Sequence, residues 1–175
     1  MSGRTGRARE RPRVGSAAPG DVALRAARTE DCRRIWLWRN NEETRQASFD
    51  SSPIPFERHE RWFRESLDRQ DRKIYVILVD GRPAGVARLD LDGGQGIVSI
   101  HLAPECRGRG VGPAALEALA GLAFGPLALD RLVAAVKPDN LASLVAFETA
   151  GFTRATAGGG APLGSVTLMR SHHEG

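Results

Sequence analysis

The chain is poor in several things, and each shortage excludes a class of protein. It has two cysteines, Cys32 and Cys106, too few and too far apart for a disulfide framework or a zinc site, so no bound metal is expected. No apolar run approaches the roughly 20 residues of a membrane span. Met1 to Gly20 also lacks the apolar core segment of a secretory signal. A cytoplasmic location without a membrane partner is the expectation that follows. No internal repeat occurs, and Tyr75 is the sole tyrosine in 175 residues.

What remains is ordinary in composition. Hydrophobic residues make up 41% and charged residues 26%, enough at this length for one domain with a real core. The net charge is +4, but its excess lies at the start. Residues 1–20 hold Arg4, Arg7, Arg9, Arg11 and Arg13 against Glu10 alone. A basic tail of this kind can touch nucleic acid. Its glycine, proline and serine content reads better as a solvated, disordered extension. Residues 21–175, read as a single domain, are close to neutral, which argues against a nucleic-acid partner.

Val22, Leu24 and Ala26 alternate with smaller or polar neighbours, a strand pattern. Thr29 is placed as the N-cap of a helix carrying Cys32, Ile35 and Trp36, with a second short helix over Glu42–Gln46. Phe49–Pro55 reads as a loop, and Phe56, His59, Trp62, Phe63 and Leu67 fall at helical spacing. Three strands follow, over 74–79, 84–91 and 97–102, joined by turns at Asp80-Gly81 and Asp92-Gly93-Gly94. A helix over 113–124, a strand over 132–136, a helix over 141–150 closed by Gly151, and two strands over 152–155 and 165–169 complete the chain. Ala157–Gly164 is expected to be a flexible loop. The order is that of an α+β, or mixed α/β, domain.

The strongest signal for chemistry is the segment Pro104-Glu105-Cys106-Arg107-Gly108-Arg109-Gly110-Val111-Gly112, between a strand and a helix. Three glycines let main chain approach a ligand, and the helix start supplies unpaired N–H groups at the positive end of a dipole. That combination suits a pyrophosphate, with Arg107 and Arg109 adding charge. A P-loop is excluded because Gly112-Pro113-Ala114 lacks the terminal Gly-Lys-Ser/Thr. A dinucleotide fingerprint is excluded because the spacing is G-x-G-x-G after an antiparallel meander.

Here the sequence resembles the GNAT family of N-acetyltransferases. The family's loop, (Arg/Gln)-x-x-Gly-x-(Gly/Ala), is matched by Arg107, Gly110 and Gly112. A second signature is matched by Asn140, Ser143, Phe147 and Gly151-Phe152. The resemblance covers about residues 21–170. It implies a mostly antiparallel mixed sheet with a splayed strand pair, and acetyl-CoA as cosubstrate. It also implies direct transfer to a primary amine in a ternary complex. Main chain at Leu102 and Ala103 is then expected to bond the pantetheine arm as an added strand. Main-chain amides of Arg107, Gly108, Arg109, Gly110, Val111 and Gly112 are expected to hold the pyrophosphate. Asn140 and Ser143 bond the pantetheine or, on the plainer reading, cap and solvate a helix. Phe147 packs near the thioester, where the family commonly carries a tyrosine acid.

His101 is the candidate catalytic base, with the right intrinsic pKa; a packed sheet histidine is the alternative. Asp90 and Asp92 are weaker candidates, and Cys106 is not expected to act as a nucleophile. Trp38-Arg39-Asn40 and His59 resemble an acetyltransferase subgroup of the pseudaminic-acid pathway, which modifies amino sugars on a nucleotide carrier. That likeness implies Arg39 and His59 as acceptor-binding residues, against the alternative of an ordinary helix face. An aminoglycoside or protein N-terminal acetyltransferase, and a non-catalytic acyl-CoA-binding module, are the competing readings. The alanine-rich helix and apolar final strands permit a homodimer.

Overall fold

The computed structural model describes residues 18–156 and 160–172. The five-arginine stretch of the tail and part of the Ala157–Gly164 loop lie outside the described residues. Strand β1 (Val22–Ala26) is followed by helices α1 (Cys32–Asn40), α2 (Glu42–Ala47) and α3 (Phe56–Asp68). Strands β2 (Arg72–Val79), β3 (Arg82–Asp92) and β4 (Gln95–Leu102) form the meander. Then come α4 (Val111–Phe124), β5 (Arg131–Val136), α5 (Leu141–Thr149), β6 (Thr153–Ala155) and β7 (Val166–Ser171). The strands make one mixed, mostly antiparallel sheet in the order β1-β2-β3-β4-β5-β7-β6, with β4 and β5 parallel. The α+β fold class read from the sequence is the one observed.

The turns explain the meander. Asp80 and Gly81 both have positive φ (48° and 75°), as do Gly93 and Gly94 (52° and 82°), so each hairpin closes through two left-handed residues. The second turn is Gly93-Gly94, because Asp92 already belongs to β3. Gly151, at φ 79°, ends the last helix as expected.

Two cores lie on opposite faces of the sheet. One face carries Ile77, Ala87, Leu89 and Val98 under α4, whose Ala115, Leu116 and Leu119 are fully buried. The other carries Ile74, Val76 and Val86 under α1 and α3, through Ile35, Trp38 and Phe63. Phe63 is fully buried, worth about 1.5–3 kcal/mol in apolar transfer. The start of α1 differs from the expectation. Residues Thr29–Asp31 form a single 3-10 turn, and Asp31 rather than Thr29 receives the entering main chain. Its buried carboxylate accepts two bonds from Arg25 (2.8 and 2.9 Å) and one from the Arg28 amide (2.8 Å). The Arg25 guanidinium holds that carboxyl below its usual range.

Candidate active site

Strand β4 organises the site because its two edges and two faces have different tasks. The Ala103 amide donates to Ala84 O at 2.8 Å, and the register pairs Val86 with His101 and Gly85 with Leu102. In an antiparallel ladder the hydrogen-bonded pairs alternate. The main-chain groups of His101 therefore face β3, and those of Ile100 and Leu102 face β5. Strand β5 meets β4 only over Gln95–Ile97, after which the two splay. Leu102 thus presents its amide to an open gap, its carbonyl being reached by Arg107 Nη2 at 3.4 Å, and Ile100, which the sequence reading did not single out, also turns main chain into the gap. Ala103 does not: its N–H is held by Ala84 and its carbonyl accepts from Cys106 at 2.9 Å. The expectation that Ala103 bonds a pantetheine arm is corrected on that ground.

At the mouth of the gap stands the glycine-rich loop. Gly108 and Gly110 adopt φ 67° and 76°, a region costly for residues with a Cβ, and Gly110 caps α4 with no side-chain bond. Among the described residues, the amides of Gly108 to Gly112 have no hydrogen-bonded acceptor. Pro113, in the first turn, has no amide to satisfy. A Cβ at Gly108 would meet nothing within 4 Å. At Gly110 it would touch the Pro19 ring at 3.5 Å, so the open approach lies at Gly108; free amides and a helix start beside it fit a pyrophosphate.

Arg107 is placed differently from the expectation that it adds charge to this loop. Its amide bonds Pro104 O at 3.3 Å. Its guanidinium turns to α2, donating to Thr44 Oγ1 (2.6 Å), Asn41 Oδ1 (3.2 Å) and the Glu43 carboxylate. Arg107 therefore fastens the loop to α2, and Arg109 remains exposed. Asn140 caps α5 by accepting from the Ser143 amide at 3.1 Å. Phe147 is buried in the α4 core and packs edge-on against Phe152 at 5.0 Å, so it carries apolar contact and no acid. Tyr75 packs in that same core, away from the cavity described next.

On the other face of β4, the side chains of Ser99 and His101 line a cavity of about 310 Å³ roofed by α1, α3 and the loop after α2. That loop is pinned by Asn40, which donates to Ile54 O and accepts from Ile54 N (both 2.8 Å), and by Trp36 Nε1 on Ile54 O (2.7 Å). Arg39 and His59 both reach the cavity. His59 is 3% exposed and stacks on Phe63. Its Nε2 lies 3.2 Å from Cys32 O, which only accepts, so Nε2 carries the proton. Burial lowers its pKa. Arg39 donates to Asp50 O at 2.9 Å. Arg88, Arg58 and Trp62 complete the wall; Trp62 was already named from the sequence on the face of α3, whereas Arg58 and Arg88 were not picked out, because their convergence depends on tertiary packing. His101 is held at a pKa of about 4, by burial first and then by Arg39, Arg88 and Arg107. Burial and Glu105 raise the Cys106 thiol, which keeps it protonated. Asp90 is engaged by Arg72 at 2.5 Å.

Residues 21–153 match the family model described as an acetyltransferase (GNAT) domain. The chain belongs to the GNAT acetyltransferase family. As a GNAT protein it is an acyltransferase with acetyl-CoA as cosubstrate. Solved structures show the same fold. The aminoglycoside acetyltransferase AAC(6')-Ib with coenzyme A and kanamycin aligns at TM-score 0.75 and 18% identity, over 86% of this chain and 95% of that one. Spermidine N-acetyltransferase from Vibrio cholerae with CoA and spermine aligns at TM-score 0.73 and 20% identity, over 85% and 93%. A domain from Methanocaldococcus jannaschii aligns at TM-score 0.75 and 17% identity, over 87% and 99%. No curated protein matches the chain in sequence. Among the described residues, no helix of this GNAT chain is long and apolar enough to cross a membrane.

Proposed function

We propose that this protein moves an acetyl group from acetyl-CoA to the primary amine of a small molecule, by direct transfer in a ternary complex. One observation carries the reading. Neighbouring residues of β4 serve two openings: Leu102 turns main chain into the β4–β5 gap, and His101 turns its ring into the cavity. A thioester in the gap and an amine in the cavity would then meet at one strand. A nucleotide-linked amino sugar is an acceptor of the right kind, having an amine for His101 and phosphate for Arg39.

The residues divide the work. Amides of Gly108 to Gly112 and the α4 dipole hold the pyrophosphate. The free edge of β4 at Ile100 and Leu102 aligns the pantetheine and supplies a donor for charge building on the thioester oxygen. The amine nitrogen bonds to the carbonyl carbon as the C–S bond breaks. The amine's proton passes to His101, directly or through water, and the departing thiolate takes a proton from solvent. A thiol of pKa about 8.5 leaves without a dedicated acid, which suits a site with Phe147 in place of tyrosine.

Thiol release from acetyl-CoA, followed across an amine panel, tests this. Gly110→Asp puts a side chain at φ 76° and a negative charge where phosphate should sit. It is expected to weaken acetyl-CoA binding by about 100-fold or more, from backbone strain and like-charge repulsion together. Undiminished acetyl-CoA binding by Gly110→Asp would remove the loop from the site.

A further inference from the structure

The cavity beside His101 has a charge of decided sign. Arg39, Arg58 and Arg88 line it, against the single carboxylate of Asp50. That carboxylate is exposed at the rim and already accepts the Ser52 amide at 2.9 Å. With both histidines neutral, three guanidiniums face one acid.

Two of the three cations also carry a nitrogen without a hydrogen-bond partner. Arg39 Nη1 and Arg88 Nε are buried and have no hydrogen-bond partner among the described residues. Asp90 Oδ2 stands 2.9 Å from Arg88 Nε and pairs with its charge, but that one carboxylate is shared with Arg72, and Arg39 has no such carboxylate beside it among the described residues. Buried cationic donors without acceptors are expensive to keep. They come from two separate elements, α1 and β3, and converge on one wall. A guanidinium pair of this kind matches the forked oxygens of carboxylate or phosphate. The two CoA-bound neighbours were solved with kanamycin and with spermine, both polycations; a polycation would meet its own sign here.

We propose that the acceptor of this protein carries an oxyanion, carboxylate or phosphate, on the same molecule as its amine, and that Arg39 and Arg88 seat that oxyanion. The proposal rests on the cavity being the acceptor site, and it narrows the acceptor to an anionic amine. Seating the anion on this wall directs the amine toward Ser99 and His101. It also offsets the arginines that depress His101, so the acceptor's own charge makes the neighbouring base stronger.

Matched pairs of amines test it in the thiol-release assay: glycine and glycinamide, glucosamine 6-phosphate and glucosamine, with spermidine and kanamycin as polycations. The first pair reports carboxylate and the second phosphate. The anionic member of at least one pair should exceed its neutral partner by about tenfold or more in kcat/KM. Arg39→Gln and Arg88→Gln should each erode that preference through KM, with acetyl-CoA binding unchanged. If Arg88→Gln fails to fold, Arg39→Gln alone carries the comparison. Faster turnover of spermidine or kanamycin than of every anionic amine overturns the proposal, as does a preference intact in Arg39→Gln. If no amine turns over, the transferase reading of the cavity fails, and the anion seat is judged by binding. Inorganic phosphate or N-acetylglycine should then change the tryptophan fluorescence saturably, since Trp62 lines the cavity, and Arg39→Gln should lose the change. No saturable change with either probe overturns the seat as well.

Discussion

His101 is held neutral at a cost that the folded protein bears in acid. An imidazole that titrates near 6.5 in an unfolded chain and near 4 in the native one binds more protons when unfolded throughout that window. Stability therefore falls as pH drops from about 6.5 toward 4 and is unaffected by this group above it. Between pH 7.5 and 5.0 the loss attributable to His101 is about 1–2 kcal/mol, allowing for the water its cavity admits. His59, depressed by its own burial, adds to the slope in the same direction. His101→Asn should thus lose less of its thermal midpoint between those two pH values than wild type. Equal losses in the two proteins would mean that His101 is not depressed. The same property bears on catalysis. A base near pKa 4 is poorly matched to an ammonium, so it serves best after the amine has arrived neutral or after an anion has offset Arg39 and Arg88.

At the scale of elements, α2 and the phosphate loop are one unit because Arg107 joins them. Its guanidinium bonds Asn41, Glu43 and Thr44 from the far side of the site, and Lys137 Nζ adds a bond to Gln46 O at 2.8 Å. Arg107→Ala should raise the KM for acetyl-CoA about tenfold through a loosened loop, and lower stability by about 1–3 kcal/mol. Arg107→Lys should restore little, since an ammonium lacks the planar fork that reaches Asn41, Glu43, Thr44 and the Leu102 carbonyl together. A KM unchanged in Arg107→Ala would show that the loop holds its shape alone. This residue also marks how far sequence carries. The loop was legible because glycine, proline and helix-start chemistry are local, and so were the Asp80-Gly81 and Gly93-Gly94 turns, whose positive φ needs those residue types. The direction of the Arg107 side chain was not legible, because its acceptors Asn41, Glu43 and Thr44 lie more than sixty residues away. Burial of Asp31 was hidden for a related reason: nothing local distinguishes it from a solvated first-turn acid until Arg25 pairs with it across the turn. His101, Arg39 and His59 were named from sequence and do share a cavity. Arg88 was missed, because which face of β3 looks toward α1 depends on strand register.

For the whole molecule, the splay between β4 and β5 means that the sheet is incomplete at its centre. Seven strands are present among the described residues, yet the two middle ones pair over only three residues before parting. The glycine loop leaves its amides equally unmatched. A ligand laid along the gap would supply the missing ladder bonds and answer those amides together, joining the α4 side to the meander. It binds the folded chain alone, so stability rises as RT ln(1 + [L]/Kd), about 2.7 kcal/mol at a hundredfold excess over Kd. For a chain of this size that is a rise of about 5–10 °C in the thermal midpoint. Acetyl-CoA and CoA should produce nearly the same shift, since the phosphates and pantetheine carry the contacts and the acetyl group adds little. Dephosphorylated pantetheine should produce far less, having no pyrophosphate for the loop. A shift as large with pantetheine as with CoA would place the binding energy in the gap alone, and the helix entrance would lose its part in the site.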